Sequence, residues 1–288
     1  MSDLDKQTQV SDSPIIRLWQ RIPVLIRVIV SGAFVTFVGV GAWLLCLAVI
    51  PAPWSIVVMG GILWLYWKYF SGSWWPGHTA EARSRSFRAV KLSAAVWKWS
   101  LVGTFLFVVV LQSATVLTFR LIEFPAEASA DYGLDVLPVW EAWITIIMAS
   151  LVAGICEETG FRGYMQVPLE ERYGPAVGIT IVSIMFTVFH LNQAWAQPVL
   201  FQIFAISMLF GILAYASGSL IPSIIGHTIM DIFNFSFWWT DLAGNFELQT
   251  IAVTGIDPLF ITAVLIFVAS FALFFWVIRK IMAVRKQT

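Results

Sequence analysis

The stretch Ile144-Thr145-Ile146-Ile147-Met148-Ala149-Ser150-Leu151-Val152-Ala153-Gly154-Ile155-Cys156-Glu157-Glu158-Thr159-Gly160-Phe161-Arg162 decides the fold. It is apolar as far as Cys156 and then carries two carboxylates and a guanidinium. A helix crossing a bilayer needs roughly 20 apolar residues, and this run has that character. Charges inside such a run are costly, so they mark a partner, a cavity or a functional site. The rest of the 288-residue chain agrees with a membrane reading. It is 59% hydrophobic and 12% charged, with mean hydropathy +0.83. A soluble globular chain is about 45–50% apolar and about 25% charged. The balance argues against a soluble enzyme, a nucleic-acid binder and a disordered chain. Cys46 and Cys156 both lie in apolar runs and offer neither a disulfide framework nor a CxxC metal pattern.

Working outward, the same ruler gives eight candidate spans, approximately 28–50, 54–70, 97–119, 140–166, 175–191, 199–217, 220–239 and 258–281. The expected fold class is therefore all-α, a polytopic membrane helix bundle of about eight transmembrane helices. The polar stretch Met1–Ser13 lacks an apolar core of its own, so no cleavable signal peptide is expected. With the N-terminus placed in the cytoplasm, every lysine and arginine except Arg120 falls on the inner side. The outer loops then carry Glu123, Glu127, Asp131, Asp135, Glu141, Asp241, Glu247 and Asp257. This satisfies the positive-inside rule and puts both termini in the cytoplasm of a multi-pass plasma-membrane protein. The expected organisation is a cytoplasmic segment 1–27, N-terminal helices 28–139, a core 140–239, and an outer loop, last helix and basic tail 240–288. Arg83–Lys91 reads as an inner-face amphipathic stretch, or as a solvated loop beside anionic lipid.

Few ionisable residues interrupt the apolar runs: Glu157, Glu158 and Arg162, then His190, then His227 and Asp231. Glu158 and Arg162 are four apart in the favourable order and can pair on one helix face, lowering the cost of both charges. Glu157 is rotated by about 100° and left without a local partner. A carboxylate without a partner in an apolar setting holds a proton more tightly than one in water, which suits a general base. His227 and Asp231 share a face at the same spacing, as do Phe186 and His190. Singly, each histidine reads as a packing residue; three helices each offering one polar face favour a shared site. His78, in a polar loop, reads as a surface residue.

Depth decides whether these residues meet. Glu157 and His190 stand at similar distances, about 25 Å, from an expected turn at Tyr173-Gly174-Pro175. His227 lies only about 10 Å from the start of its helix at Leu220. For the three to coincide, the helices flanking that turn must project some 10–15 Å beyond the bilayer. The site is then expected in the inner half of the membrane, open to the cytoplasm.

These residues carry a resemblance. Glu157-Glu158-Thr159-Gly160-Phe161-Arg162-Gly163 resembles the EExxxRG signature of the CAAX protease and bacteriocin-processing (CPBP, or Abi) intramembrane proteases. Phe186-Thr187-Val188-Phe189-His190 is similar to its FxxxH motif, and His227-Thr228-Ile229-Met230-Asp231 to its HxxxN or HxxxD motif. The order is the family's, and the resemblance covers the second half of the chain. It implies a bundle like that of the type II prenyl-protein endopeptidases, and endopeptidase activity. It implies that Glu157 activates water with His190 assisting, that Phe186 supports the site, and that Glu158 and Arg162 are a structural pair. It further implies that His227 and Asp231 stabilise the oxyanion. Where family members carry Asn, the amide can donate; a carboxylate cannot. Asp231 is therefore expected to orient His227 and keep it a donor. No cofactor is favoured. Zinc held by Glu157, His190 and His227 is the alternative, since two histidines and a glutamate make a hydrolase-type ligand set.

The expected partners are the lipid bilayer and a membrane-associated protein or peptide substrate, with no nucleic acid. Two other classes compete: a non-catalytic bacteriocin-immunity or scaffold protein, and a proton-coupled transporter relaying through Glu157, His190 and Asp231. The second would be expected to show internal repeats, and none is visible. Neither GxSG nor GxGD, the marks of serine and aspartyl intramembrane proteases, is present.

Overall fold

The computed structural model describes residues 14–123, 134, 136–193, 197–240, 242–243 and 248–287. Every regular element among them is helical, as expected where lipid cannot satisfy exposed backbone groups. In chain order they are α1 (Pro14–Arg21), α2 (Val24–Val49), α3 (Trp54–Phe70), α4 (Ala80–Phe87), α5 (Ala94–Leu121) and α6 (Val139–Val152). The last runs on without a break as a π-helix (Ala153–Met165) and then as α7 (Gln166–Tyr173). There follow α8 (Pro175–Phe189), α9 (Gln197–Ser217), α10 (Ile221–Phe233) with a π-helical end (Asn234–Trp238), α11 (Ile251–Thr254) and α12 (Pro258–Arg285). The expected turn between the fourth and fifth spans is present: Gly174 takes φ 84 and Pro175 opens α8.

Five helices are long and apolar enough to cross a membrane: Val24–Val49, Ala94–Leu121, Val139–Tyr173, Pro198–Ser217 and Pro258–Arg285. The protein is thus a multi-pass membrane protein. The other three expected spans are shorter: 17 residues for α3, 15 for α8, and 13 for α10 before its π-helical end of 5. Lys6, Glu127, Asp131, Asp135, Asp241 and Glu247, which enter the charge asymmetry, lie outside the described residues. Arg120, the one basic residue expected on the outer side, is buried. It donates to Asp257 Oδ2 and Thr254 Oγ1, both at 2.6 Å, at the junction of α11 and α12.

The π-helix sits at the centre, and small residues let its neighbours approach. A Cβ on Gly160 would meet Thr36 Oγ1 and stand 2.5 Å from the Gly32 carbonyl of α2. A Cβ on Gly154 would meet Thr228 Oγ1 and stand 3.0 Å from the Ile224 carbonyl of α10. Close crossing at small residues is how membrane helices pack. On the far side of α10, Phe107, Phe210 and Phe274 join α5, α9 and α12 in one buried cluster.

The Arg83–Lys91 stretch begins as the docked end of α4 and continues from Arg88 without regular structure. The buried Arg83 guanidinium donates to the carbonyls of Tyr69 (2.6 Å), Trp74 (2.6 Å) and Pro76 (2.8 Å). Three carbonyls offset the loss of water around its charge. Arg85 and Arg88 pair with Glu171 and Glu170 on α7. The Arg88 carbonyl accepts from Leu220 N at 3.1 Å, and Gly163 packs against Ser86 and Leu220. Gly163 and Leu220 therefore share a level. From that level α7 continues to Tyr173, about 15 Å further, while His227 lies about 10 Å in the other direction. Along the helix axes, Tyr173 and His227 thus lie on opposite sides of the level of Leu220.

Candidate functional site

The π-helix turns Glu157 and Glu158 to different surroundings. Its i→i+5 bonding is rare and concentrates at functional sites. Glu158 is fully buried, and its Oε1 accepts from Arg162 Nη1 at 2.9 Å. The same oxygen lies 2.9 Å from His227 Nδ1 on α10. A carboxylate accepts, so the imidazole donates through Nδ1. Arg162, also fully buried, donates from Nη2 to Ser207 Oγ of α9 at 2.9 Å. This chain of groups, Ser207 to Arg162 to Glu158 to His227, ties α9, the π-helix and α10 together without a free charge.

Glu157 points elsewhere. Its Oε2 lies 3.7 Å from His190 Nε2 and 4.0 Å from His227 Nε2, and that oxygen makes no hydrogen bond. His190 caps α8, where its Nδ1 donates to the Phe186 carbonyl at 2.7 Å; the local i, i+4 spacing sets this contact. The Nε2 of each imidazole is therefore the end turned toward Glu157. Asp231 Oδ2 lies 3.6 Å from His227 Nε2. The Glu157, His190 and Asp231 side chains keep 16, 17 and 14% of their surface exposed, while that of His227 keeps 4%. These three form the partly exposed edge of the site, and His227 its buried part.

All the residues singled out in the sequence thus gather within one site, while His78 stands exposed in the 3₁₀ turn Gly77–Thr79. One expectation changes. The group that holds His227 by its Nδ1 is Glu158, not Asp231. Four residues on along the same helix, Asp231 reaches only the opposite ring nitrogen, which also faces Glu157. Two participants escaped the sequence reading. Phe210 stacks on His227 with ring centroids 4.8 Å apart, and Ser207 meets Arg162; both lie on α9, in a run that reads as plain apolar span.

The aromatic surroundings are dense. The Arg162 guanidinium lies over Phe186 at 4.4 Å and over Phe210 at 5.0 Å. Stacking on flat rings suits a weakly hydrated guanidinium removed from water. Phe186 also stacks on His190 at 4.1 Å.

Residues 138–233 match the family model described as Type II CAAX prenyl endopeptidase Rce1-like. The match spans α6, the π-helix and α7 through α10, and so contains every residue of the site. The family is one of CAAX-type intramembrane proteases, as the resemblance implied. No curated protein and no solved structure matches the chain.

Proposed function

We propose that this protein is an intramembrane endopeptidase that hydrolyses a peptide bond in a membrane-associated protein or peptide, with Glu157 as general base. The observation that carries this reading is the Glu157 oxygen without a hydrogen bond, faced by the Nε2 atoms of two imidazoles whose Nδ1 atoms are both committed elsewhere. Spacings of 3.7 and 4.0 Å suit groups that share a water rather than bond directly. In the proposed step that water gives one proton to Glu157 and donates its other hydrogen to the lone pair of His190 Nε2, and its oxygen attacks the scissile carbonyl. His227, flanked by Glu158 and Asp231, donates through Nε2 to the oxyanion. Glu157 then passes its proton to the leaving amine.

The reading includes a multi-pass plasma-membrane protein with both termini in the cytoplasm, supported by the placement of basic residues. The site then opens to the cytoplasm in the inner half of the bilayer. Zinc fits the donors poorly: among the described residues no group of three His, Cys, Asp or Glu side chains is arranged to hold a metal ion, and no step is routed through one. Of the alternatives, a scaffold needs no carboxylate facing two imidazole nitrogens.

The test is cleavage of membrane-tethered reporter peptides by the purified protein in proteoliposomes, with and without chelator. Wild type should cleave in both, and Glu157→Ala in neither. Cleavage by Glu157→Ala at the wild-type rate would remove Glu157 from the reaction.

A further inference from the structure

Two phenyl rings lie against one guanidinium, and each also stacks on an imidazole. Phe186 lies against Arg162 and stacks on His190, with ring planes 22° apart. Phe210 lies against Arg162 and stacks on His227, with ring planes 25° apart. The first stack is local, since Phe186 and His190 are four residues apart on α8. The second joins α9 to α10 and belongs to no motif in the sequence. Phe210 is fully buried. Its helix is held in register three residues earlier, where Ser207 accepts from Arg162 through both Oγ (2.9 Å) and its carbonyl (3.4 Å).

His227 has one hydrogen bond, from Nδ1 to Glu158. A single bond fixes one corner of a planar ring and leaves it free to tilt about that contact. The opposite corner, Nε2, is the one turned to Glu157 and Asp231. A flat, immobile phenyl face against the imidazole removes the tilt. Misplacement of a reacting group by about 1 Å can cost about 100-fold in rate.

We infer that Phe210 is a positioning residue for His227: the α9 ring sets the plane of the α10 imidazole so that Nε2 stays directed at the Glu157 carboxylate. The inference rests on the proposed endopeptidase reading for its effect on rate, but not for its effect on the ring.

Two readouts on the full-length protein test it. The chain has three histidines, so the ring signals of isotope-labelled histidine can be assigned with His78→Gln and His190→Gln variants. Phe210→Leu removes the flat face while keeping an apolar side chain. Its His227 signals should broaden or split while those of His190 stay sharp. Its kcat on the tethered reporter should fall by about 10- to 100-fold, with KM within about 2-fold. Phe210→Tyr should keep a single His227 signal set and at least about half of kcat, because the ring remains. If Phe210→Leu does not fold, Phe210→Met carries the same comparison. Wild-type His227 signals in the non-aromatic variant would overturn the inference, and so would a lost kcat with unchanged His227 signals. If wild type cleaves no reporter, the endopeptidase reading fails, and the histidine signals alone decide whether Phe210 holds the ring.

Discussion

Glu158 Oε1 stands 2.9 Å from Arg162 Nη1 and 2.9 Å from His227 Nδ1. One carboxylate oxygen therefore serves both the cation that locks the π-helix and the imidazole of α10. The pair is buried, and its other oxygen has no hydrogen-bond partner. Charge balance at this point rests on Arg162.

Arg162→Ala should accordingly damage the fold as well as the site. It leaves the buried Glu158 with His227 as its one remaining partner and removes the anchor on Ser207. Breaking a buried pair from one side typically costs about 3–5 kcal/mol. Thermal unfolding in detergent should show a large drop for Arg162→Ala. A melting temperature equal to wild type would mean that the Glu158–Arg162 contact carries no stability.

Glu157 differs from its neighbour in exposure: its side chain keeps 16% of its surface, while that of Glu158 keeps none. Glu157→Gln should fold with wild-type thermal stability and lose at least about 100-fold in turnover, because the amide cannot take a proton. Loss of stability comparable to that of Arg162→Ala would make Glu157 a structural group instead.

The crossing of α2 and the π-helix sets the position of both glutamates. A Cβ on Gly160 would collide with Thr36 and stand 2.5 Å from a backbone carbonyl that cannot swing away. Gly160→Ala should therefore cost about 1–3 kcal/mol. Gly61, where a Cβ meets nothing within 4 Å, serves as the control: Gly61→Ala should leave stability unchanged. Equal melting curves for the two variants would show that the helices can part without penalty.

Much of this arrangement was legible in the sequence, and the exceptions have physical causes. An apolar chain with few internal charges gives an all-helical bundle, and the turn at Gly174-Pro175 is local chemistry. The π-helix was hidden because Glu158 and Arg162, four residues apart, face each other whether the helix is α or π. The orienting partner of His227 was hidden because sequence displays local pairs such as His227 with Asp231, whereas Glu158 is 69 residues away. Phe210 and Ser207 carry no charge, so on α9 they read as ordinary span residues. Five of the eight expected spans are helices long and apolar enough to cross a membrane; α8 is as apolar but shorter, and a run of apolar residues does not reveal where a helix will stop.

Asp231 gives the sharpest division between chemistries. Its Oδ2 faces His227 Nε2 at 3.6 Å, the nitrogen proposed to donate to the oxyanion. A carboxylate there accepts only; an amide in the same place both accepts and donates. Asp231→Asn should therefore retain activity within about 10-fold, because the amide can donate to the oxyanion directly. Asp231→Ala, which offers nothing beside His227 Nε2, should lose more activity than Asp231→Asn. Both variants should respond to chelator as wild type does, with no change. The measurement is turnover of the tethered reporter for all three proteins, each with and without chelator. Should Asn be as damaging as Ala, the negative charge of Asp231 is what the reaction uses. If instead chelator abolishes wild-type turnover and zinc restores it, the donors around Glu157 hold a metal and the metal-free mechanism is wrong.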